Sequence, residues 1–133
     1  MIMVDSSVWI DYFRGVGSPG VEVLDALLGA EPLATGDLIL AEVLQGFESE
    51  QDFRRAKSLL ESFEVVRLAG HDVCLQAAEN FRALRRKGVT VRKTIDAIIA
   101  TCCIRNRYTL LHSDRDFDAF VEHLGLRAVP TGG

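Results

Sequence analysis

Two kinds of apolar run alternate along the chain: short continuous ones, and longer stretches in which apolar residues recur every three or four positions. Residues 2–5 (Ile-Met-Val-Asp) read as a short buried strand, and Ser6 or Ser7 is positioned to cap a helix carrying Val8, Trp9 and Tyr12. Ser18-Pro19-Gly20 marks a turn before a helix through Leu24, Leu27 and Leu28. Residues 32–35 form a weaker strand candidate. Gly36-Asp37 opens a helix to about Gly46. Another spans 50–63, with Phe53, Ala56, Leu59, Leu60 and Phe63 at helical spacing. A strand over 65–68 leads to a helix that starts near Asp72, follows Val73, Ala77, Phe81 and Leu84, and stops at Gly88. After a basic loop come a helix over 94–106, a strand over 109–112, a short helix over 116–124 closed by Gly125, and a last strand over 126–129. Residues 130–133 read as a frayed tail.

Strands alternating with helices predict an α/β fold, its mainly parallel sheet covered by helices on both faces. Ligands of such folds sit beyond the carboxyl ends of the strands. No repeat or linker interrupts the pattern, so residues 1–133 read as one domain.

Four acids break this pattern in informative places. Asp5 and Asp114 follow apolar strand candidates, while Glu42 and Asp96 interrupt the two most apolar helical stretches. Acids inside apolar runs are costly unless something positive meets them. Two carboxylates about 4 Å apart repel by roughly 4 kcal/mol at an effective dielectric near 20. A divalent cation removes that penalty, so the four read as a hard-metal site. The competing readings are a helix cap for Asp5, a surface position for Glu42, and a cap of the last short helix for Asp116.

Composition narrows the picture further. Hydrophobic residues at 48% and charged ones at 26% are ordinary for a soluble domain of 133 residues. The first residues lack a basic region followed by a long apolar stretch, so neither a signal peptide nor a membrane span is expected, and the location reads as cytoplasmic. Cys74, Cys102 and Cys103 lack metal-ligand spacing and read as reduced core residues. Net charge is −4, yet between Asn80 and Ile95 lie Arg82, Arg85, Arg86, Lys87, Arg92 and Lys93 and no acid. That segment is either a local basic face for a polyanion or a solvated helix end. His71, His112 and His123 have no evident catalytic partner, which argues against histidine acid–base chemistry. A phosphoryl-accepting domain would not need acids embedded in helices.

The segments Met3-Val-Asp5-Ser-Ser-Val-Trp-Ile10, the Glu42 helix, Thr94-Ile-Asp96-Ala-Ile-Ile-Ala100 and Leu111-His-Ser-Asp114-Arg-Asp-Phe117 resemble the PIN-domain ribonucleases, and among them the VapC toxins of type II toxin–antitoxin pairs. The resemblance runs from the first strand to the last. It implies a PIN-like three-layer α/β/α fold and Mg²⁺- or Mn²⁺-dependent hydrolysis of RNA. Asp5, Glu42, Asp96 and Asp114 match the family's catalytic acids, with Asp116 as a supporting ligand. Ser6 matches the small hydroxyl residue after the first Asp, and Thr94 is a further supporting candidate. His112-Ser113 stand where a Thr is frequent, a departure from the pattern. The resemblance also implies a VapB-type antitoxin as partner, and a homodimer. Beside the acids, Arg85, Arg86, Lys87, Arg92 and Lys93 become candidates for the RNA backbone. The alternative is a degenerate PIN domain that binds RNA or protein without catalysis.

Overall fold

The computed structural model describes residues 1–132. Its elements are β1 (Ile2–Val4), α1 (Ser6–Arg14), α2 (Pro19–Leu27), β2 (Leu33–Gly36), α3 (Asp37–Leu44), α4 (Glu50–Glu61), β3 (Glu64–Val66), α5 (His71–Arg86), α6 (Thr94–Asn106), β4 (Thr109–Leu111), a 3-10 turn (Arg115–Phe117), α7 (Asp118–Leu124) and β5 (Arg127–Ala128). The five strands form one sheet in the order β3-β2-β1-β4-β5, and every neighbouring pair is parallel.

Chain order runs outward from β1 through β2 to β3, then restarts on the other side with β4 and β5. The reversal opens a crevice at the carboxyl ends of β1 and β4, where α/β folds hold ligands. Right-handed crossovers put the helices of the two halves on opposite faces. Accordingly α1 packs on α2 and α3, and α3 on α4, while α5 packs on α6 and α7. Both faces are thus covered, which explains why Met3, Val4, Leu110 and Leu111 are fully buried.

Aromatic and polar contacts brace the helices on the two faces. Trp9 of α1 is buried and stacks with Phe13 at 5.8 Å between ring centroids, with Phe63 also at 5.8 Å. Between α5 and α6, the Gln76 amide donates to Asn80 Oδ1 at 2.9 Å, and the Asn80 amide donates to Thr101 Oγ1 at 3.0 Å. That chain fixes how α6 lies on α5, and with it the depth of its first turn.

Several sequence expectations shift at element ends. Asp5, not Ser6 or Ser7, caps α1. The third strand covers 64–66 rather than 65–68, because the Leu68 N–H turns to Asp37 Oδ1 at 3.1 Å instead of a neighbouring strand. Strand β4 ends at Leu111, where the His112 ring nitrogen takes up the Asp114 N–H at 3.3 Å. The helix expected over 116–124 begins as a 3-10 turn capped by Asp114, so Asp116 is not its cap. The last strand is confined to Arg127–Ala128. Helix α5 stops as expected: Gly88 takes φ of 85°, with Gly88 N–H donating to Arg85 and Val89 N–H to Leu84. Cys102 and Cys103 are buried thiols in the core, whereas Cys74 is exposed. Gly133, the end of the expected tail, lies outside the described residues.

Candidate metal centre

Asp5 enters the crevice at the end of β1. Its N–H continues the sheet by donating to Leu111 O at 2.9 Å, which ties it to β4. Its Oδ2 accepts from the Ser7 N–H at 3.0 Å and from the Ser7 hydroxyl at 2.7 Å. Ser7 Oγ in turn accepts from the Ser113 N–H at 3.0 Å, in the loop that leads to Asp114. The other oxygen, Oδ1, is buried and has no protein partner. Burial pushes the Asp5 carboxyl above its usual range, against the opposing pull of the Ser7 bonds.

Asp96 is the third residue of α6 and is only 4% exposed. Its Oδ2 is likewise buried without a partner. Burial first, then the negative charge of Asp5, raises its carboxyl to about 7; Asp114 and Asp116 act in the same sense and Lys93 opposes them. Glu42, half-buried on α3, accepts the Ser6 hydroxyl at 3.1 Å. Burial, with Asp5 and Asp114 adding to it, raises Glu42 as well.

Asp114 lies beyond β4 and uses Oδ1 to cap the 3-10 turn through the Asp116 N–H at 2.9 Å. One oxygen each from Asp96, Asp114 and Asp116 lies within 4.8 Å of the others. Asp5 and Glu42 stand outside that triad and face it as charged neighbours.

The cations divide in two. Arg92 donates to both Asp116 oxygens, at 3.1 and 3.3 Å, and Lys93 Nζ sits 3.9 Å from Asp114 Oδ2. Arg85, Arg86 and Lys87 are exposed at the end of α5, with Arg85 over the Phe81 ring at 5.7 Å, and pair with none of the acids. Thr94 is exposed and lines a groove with Ala97 and Ile98, about 200° round the helix from Asp96, so it is not brought to the cluster. Ser7 is the residue that sequence reasoning passed over. Its signal was the spacing, since an Asp readily accepts from a backbone N–H two residues on.

Residues 2–122 match the PIN domain family. The chain belongs to that family, in its VapC branch. Ribonuclease VapC11 of Mycobacterium tuberculosis is 32% identical over 130 residues, covering 96% of this chain and 97% of that protein. The fold is also that of VapBC-1 from nontypeable Haemophilus influenzae, at a TM-score of 0.74 and 22% identity with both chains covered in full. VapBC2 from Rickettsia felis, solved with a DNA fragment from its promoter, aligns at 0.73 and 18% identity over 97% of this chain and 98% of that one.

The residues present fit a hard divalent ion of the kind this family implies. All donors are carboxylate oxygens, which suits Mg²⁺ or Mn²⁺. The unpartnered oxygens of Asp5 and Asp96 are what such an ion would satisfy.

Proposed function

We propose that this VapC-branch PIN domain is a metal-dependent endoribonuclease and the toxin of a type II toxin–antitoxin pair. The observation that carries this reading is the pair of buried, unpartnered oxygens, Asp5 Oδ1 and Asp96 Oδ2, beside the carboxylate triad at the carboxyl end of a parallel sheet. Burial raises the carboxyls of Asp5, Asp96 and Glu42, with neighbouring acids adding to it at Asp96 and Glu42, a cost that a bound divalent cation would remove. The name of the M. tuberculosis relative, a ribonuclease, supports the same chemistry.

In this reading Asp5, Asp96 and Asp114 hold Mg²⁺ or Mn²⁺, with Asp116 in support. Such an ion, when bound, would acidify a water for attack near neutral pH and stabilise charge on the phosphoryl oxygens. Glu42, held by Ser6, orients that water or takes its proton, a task its raised carboxyl suits. Ser7 keeps Asp5 aimed inward. Arg85, Arg86, Lys87, Arg92 and Lys93 line the approach of the RNA backbone.

The partner is a VapB-type antitoxin, in keeping with the VapBC complexes that share the fold. A cleft of about 270 Å³ runs from Glu42 along Ile10, Phe13, Val43 and Phe47, beside the early helices. An antitoxin segment packs apolar anchors there and directs an Arg or Lys to the acids. The assembly contains a homodimer of this chain. No helix among the described residues is long and apolar enough to cross a membrane. An RNA substrate puts the working location in the cytoplasm.

The second reading is a PIN domain that binds without cutting. It is favoured by the ion pairs of Arg92 and Lys93, which satisfy two of the acids with the chain's own cations. Incubation of the purified protein with total cellular RNA decides between them. Water attack assisted by metal leaves 5′-phosphate and 3′-hydroxyl ends and stops on chelation. Intact RNA at saturating Mg²⁺ and Mn²⁺, or 2′,3′-cyclic ends that persist in EDTA, refutes the proposal.

A further inference from the structure

Asp116 has the cluster's geometry but not its freedom. It contributes one oxygen to the triad with Asp96 and Asp114, yet the Arg92 guanidinium donates to both of its oxygens, from Nε at 3.1 Å and from Nη2 at 3.3 Å. The Asp116 side chain is only 13% exposed, while that of Arg92 is 73% exposed. The cation therefore lies over the carboxylate from the solvent side.

Its placement follows from the chain on either side. Val91 is buried in the core, and the Lys93 carbonyl accepts the Ala97 N–H at the start of α6. Arg92 is held between these two anchors, at the lip of the crevice. Lys93 makes a looser approach to Asp114, a single contact at 3.9 Å. Planar bidentate pairing is the geometry guanidinium offers and ammonium does not.

We infer that Arg92 is a built-in counter-cation of the metal site, which a divalent ion displaces from Asp116 before that carboxylate joins Asp96 and Asp114 as a ligand. The inference rests on the metal-site reading above and deepens it. It turns a residue taken for an RNA contact into one that sets how tightly the site takes up metal. The contact is displaceable because its guanidinium side is open to water and salt, which weaken ion pairs. It matters nonetheless, because guanidinium and metal compete for the same carboxylate.

Mn²⁺ binding, read from the free-ion EPR signal in a titration without RNA, tests this independently of activity. Arg92→Gln should bind Mn²⁺ up to about fivefold more tightly than the wild type, the range set by an ion pair open to solvent on one side. In the Asp116→Asn background the same change should give no gain, since the carboxylate through which it acts is gone. Equal or weaker binding by Arg92→Gln overturns the inference. So does a gain that persists in the Asp116→Asn background, which would reflect only the removal of a positive charge. A wild type that binds Mn²⁺ with no change on Arg92→Gln removes the counter-cation and leaves the metal site standing. If neither protein takes up Mn²⁺, the metal-site reading itself falls, and the inference with it.

Discussion

Ser7 grips Asp5 twice, through its backbone N–H at 3.0 Å and its hydroxyl at 2.7 Å, and both bonds fall on the same carboxylate oxygen. The other oxygen is left buried and without a partner. One side chain thus serves as helix cap and as inward-facing acid, so the two readings of Asp5 are not rivals.

Ser7→Ala is expected to weaken the site without removing any acid. It deletes the hydroxyl bond to Asp5 and orphans the Ser113 N–H, so stability should fall by about 1–2 kcal/mol. Supporting contacts of this kind are worth roughly 10–100-fold in metal affinity or activity. Mn²⁺ titration and cleavage rates should both show the loss, and Ser7→Thr should restore part of it. Wild-type behaviour in Ser7→Ala would deny the positioning role.

The raised acids make the metal-free protein more stable at low pH. The Asp96 carboxyl titrates near 7 when folded and near 3.8 otherwise, so the native state holds the extra proton across that window. Stability should therefore fall as pH rises from about 4 to 7. In EDTA, Tm should be higher at pH 5 than at pH 7.5, and Asp96→Asn should flatten the difference and raise Tm at the higher pH. Metal affinity should show the opposite trend, rising through pH 7 as the ligand deprotonates. A Tm in EDTA that climbs between pH 5 and 7.5 would contradict the assignment.

How far the sequence could be read differs between fold and site. Alternating apolar runs were enough for the α/β class, because a strand buried on both faces and an amphipathic helix leave different periods. Asp96 stood out because Ile95, Ala97, Ile98 and Ile99 surround it. What stayed hidden depends on contacts far apart in the chain. The Ser7–Ser113 bond spans 106 positions and the Arg92–Asp116 pair 24, and no local pattern encodes either. Ser6 and Ser7 look alike in sequence, but helical geometry sends one to Glu42 and the other to Asp5. Thr94 is placed by the same geometry. Its nearness to Asp96 in the chain is reversed in space, since two residues on a helix face opposite ways.

Gly36 illustrates such a hidden constraint and yields a stability test. A Cβ at Gly36 would fall inside contact distance of Leu68 Cγ and both Cδ atoms, and Leu68 is fully buried. Overpacking of this kind costs about 1–3 kcal/mol. Gly36→Ala should lower Tm by about 3–10 °C. Combined with Leu68→Ala, the two losses should be less than additive. An unchanged Tm in the single variant would show that the strand shifts freely to make room.

Arg85, Arg86 and Lys87 bear on RNA rather than on metal. If they contact phosphates, replacing all three by Ala should cut the magnitude of the slope of log K against log salt by as much as about 2, at roughly 0.7 per single-strand contact. Mn²⁺ affinity should stay near that of the wild type, because none of the three pairs with the acids. An unchanged salt slope would leave this segment as a solvated helix end.

The central claim, that these carboxylates form a divalent-metal site, is tested most directly by anomalous scattering from crystals soaked in Mn²⁺. The expected result is a peak in contact with Asp96 and Asp114, reached by the free Oδ1 of Asp5, with Asp116 turned from Arg92 toward the ion. A crystal that is saturated with Mn²⁺ and shows no peak among these four residues would contradict it.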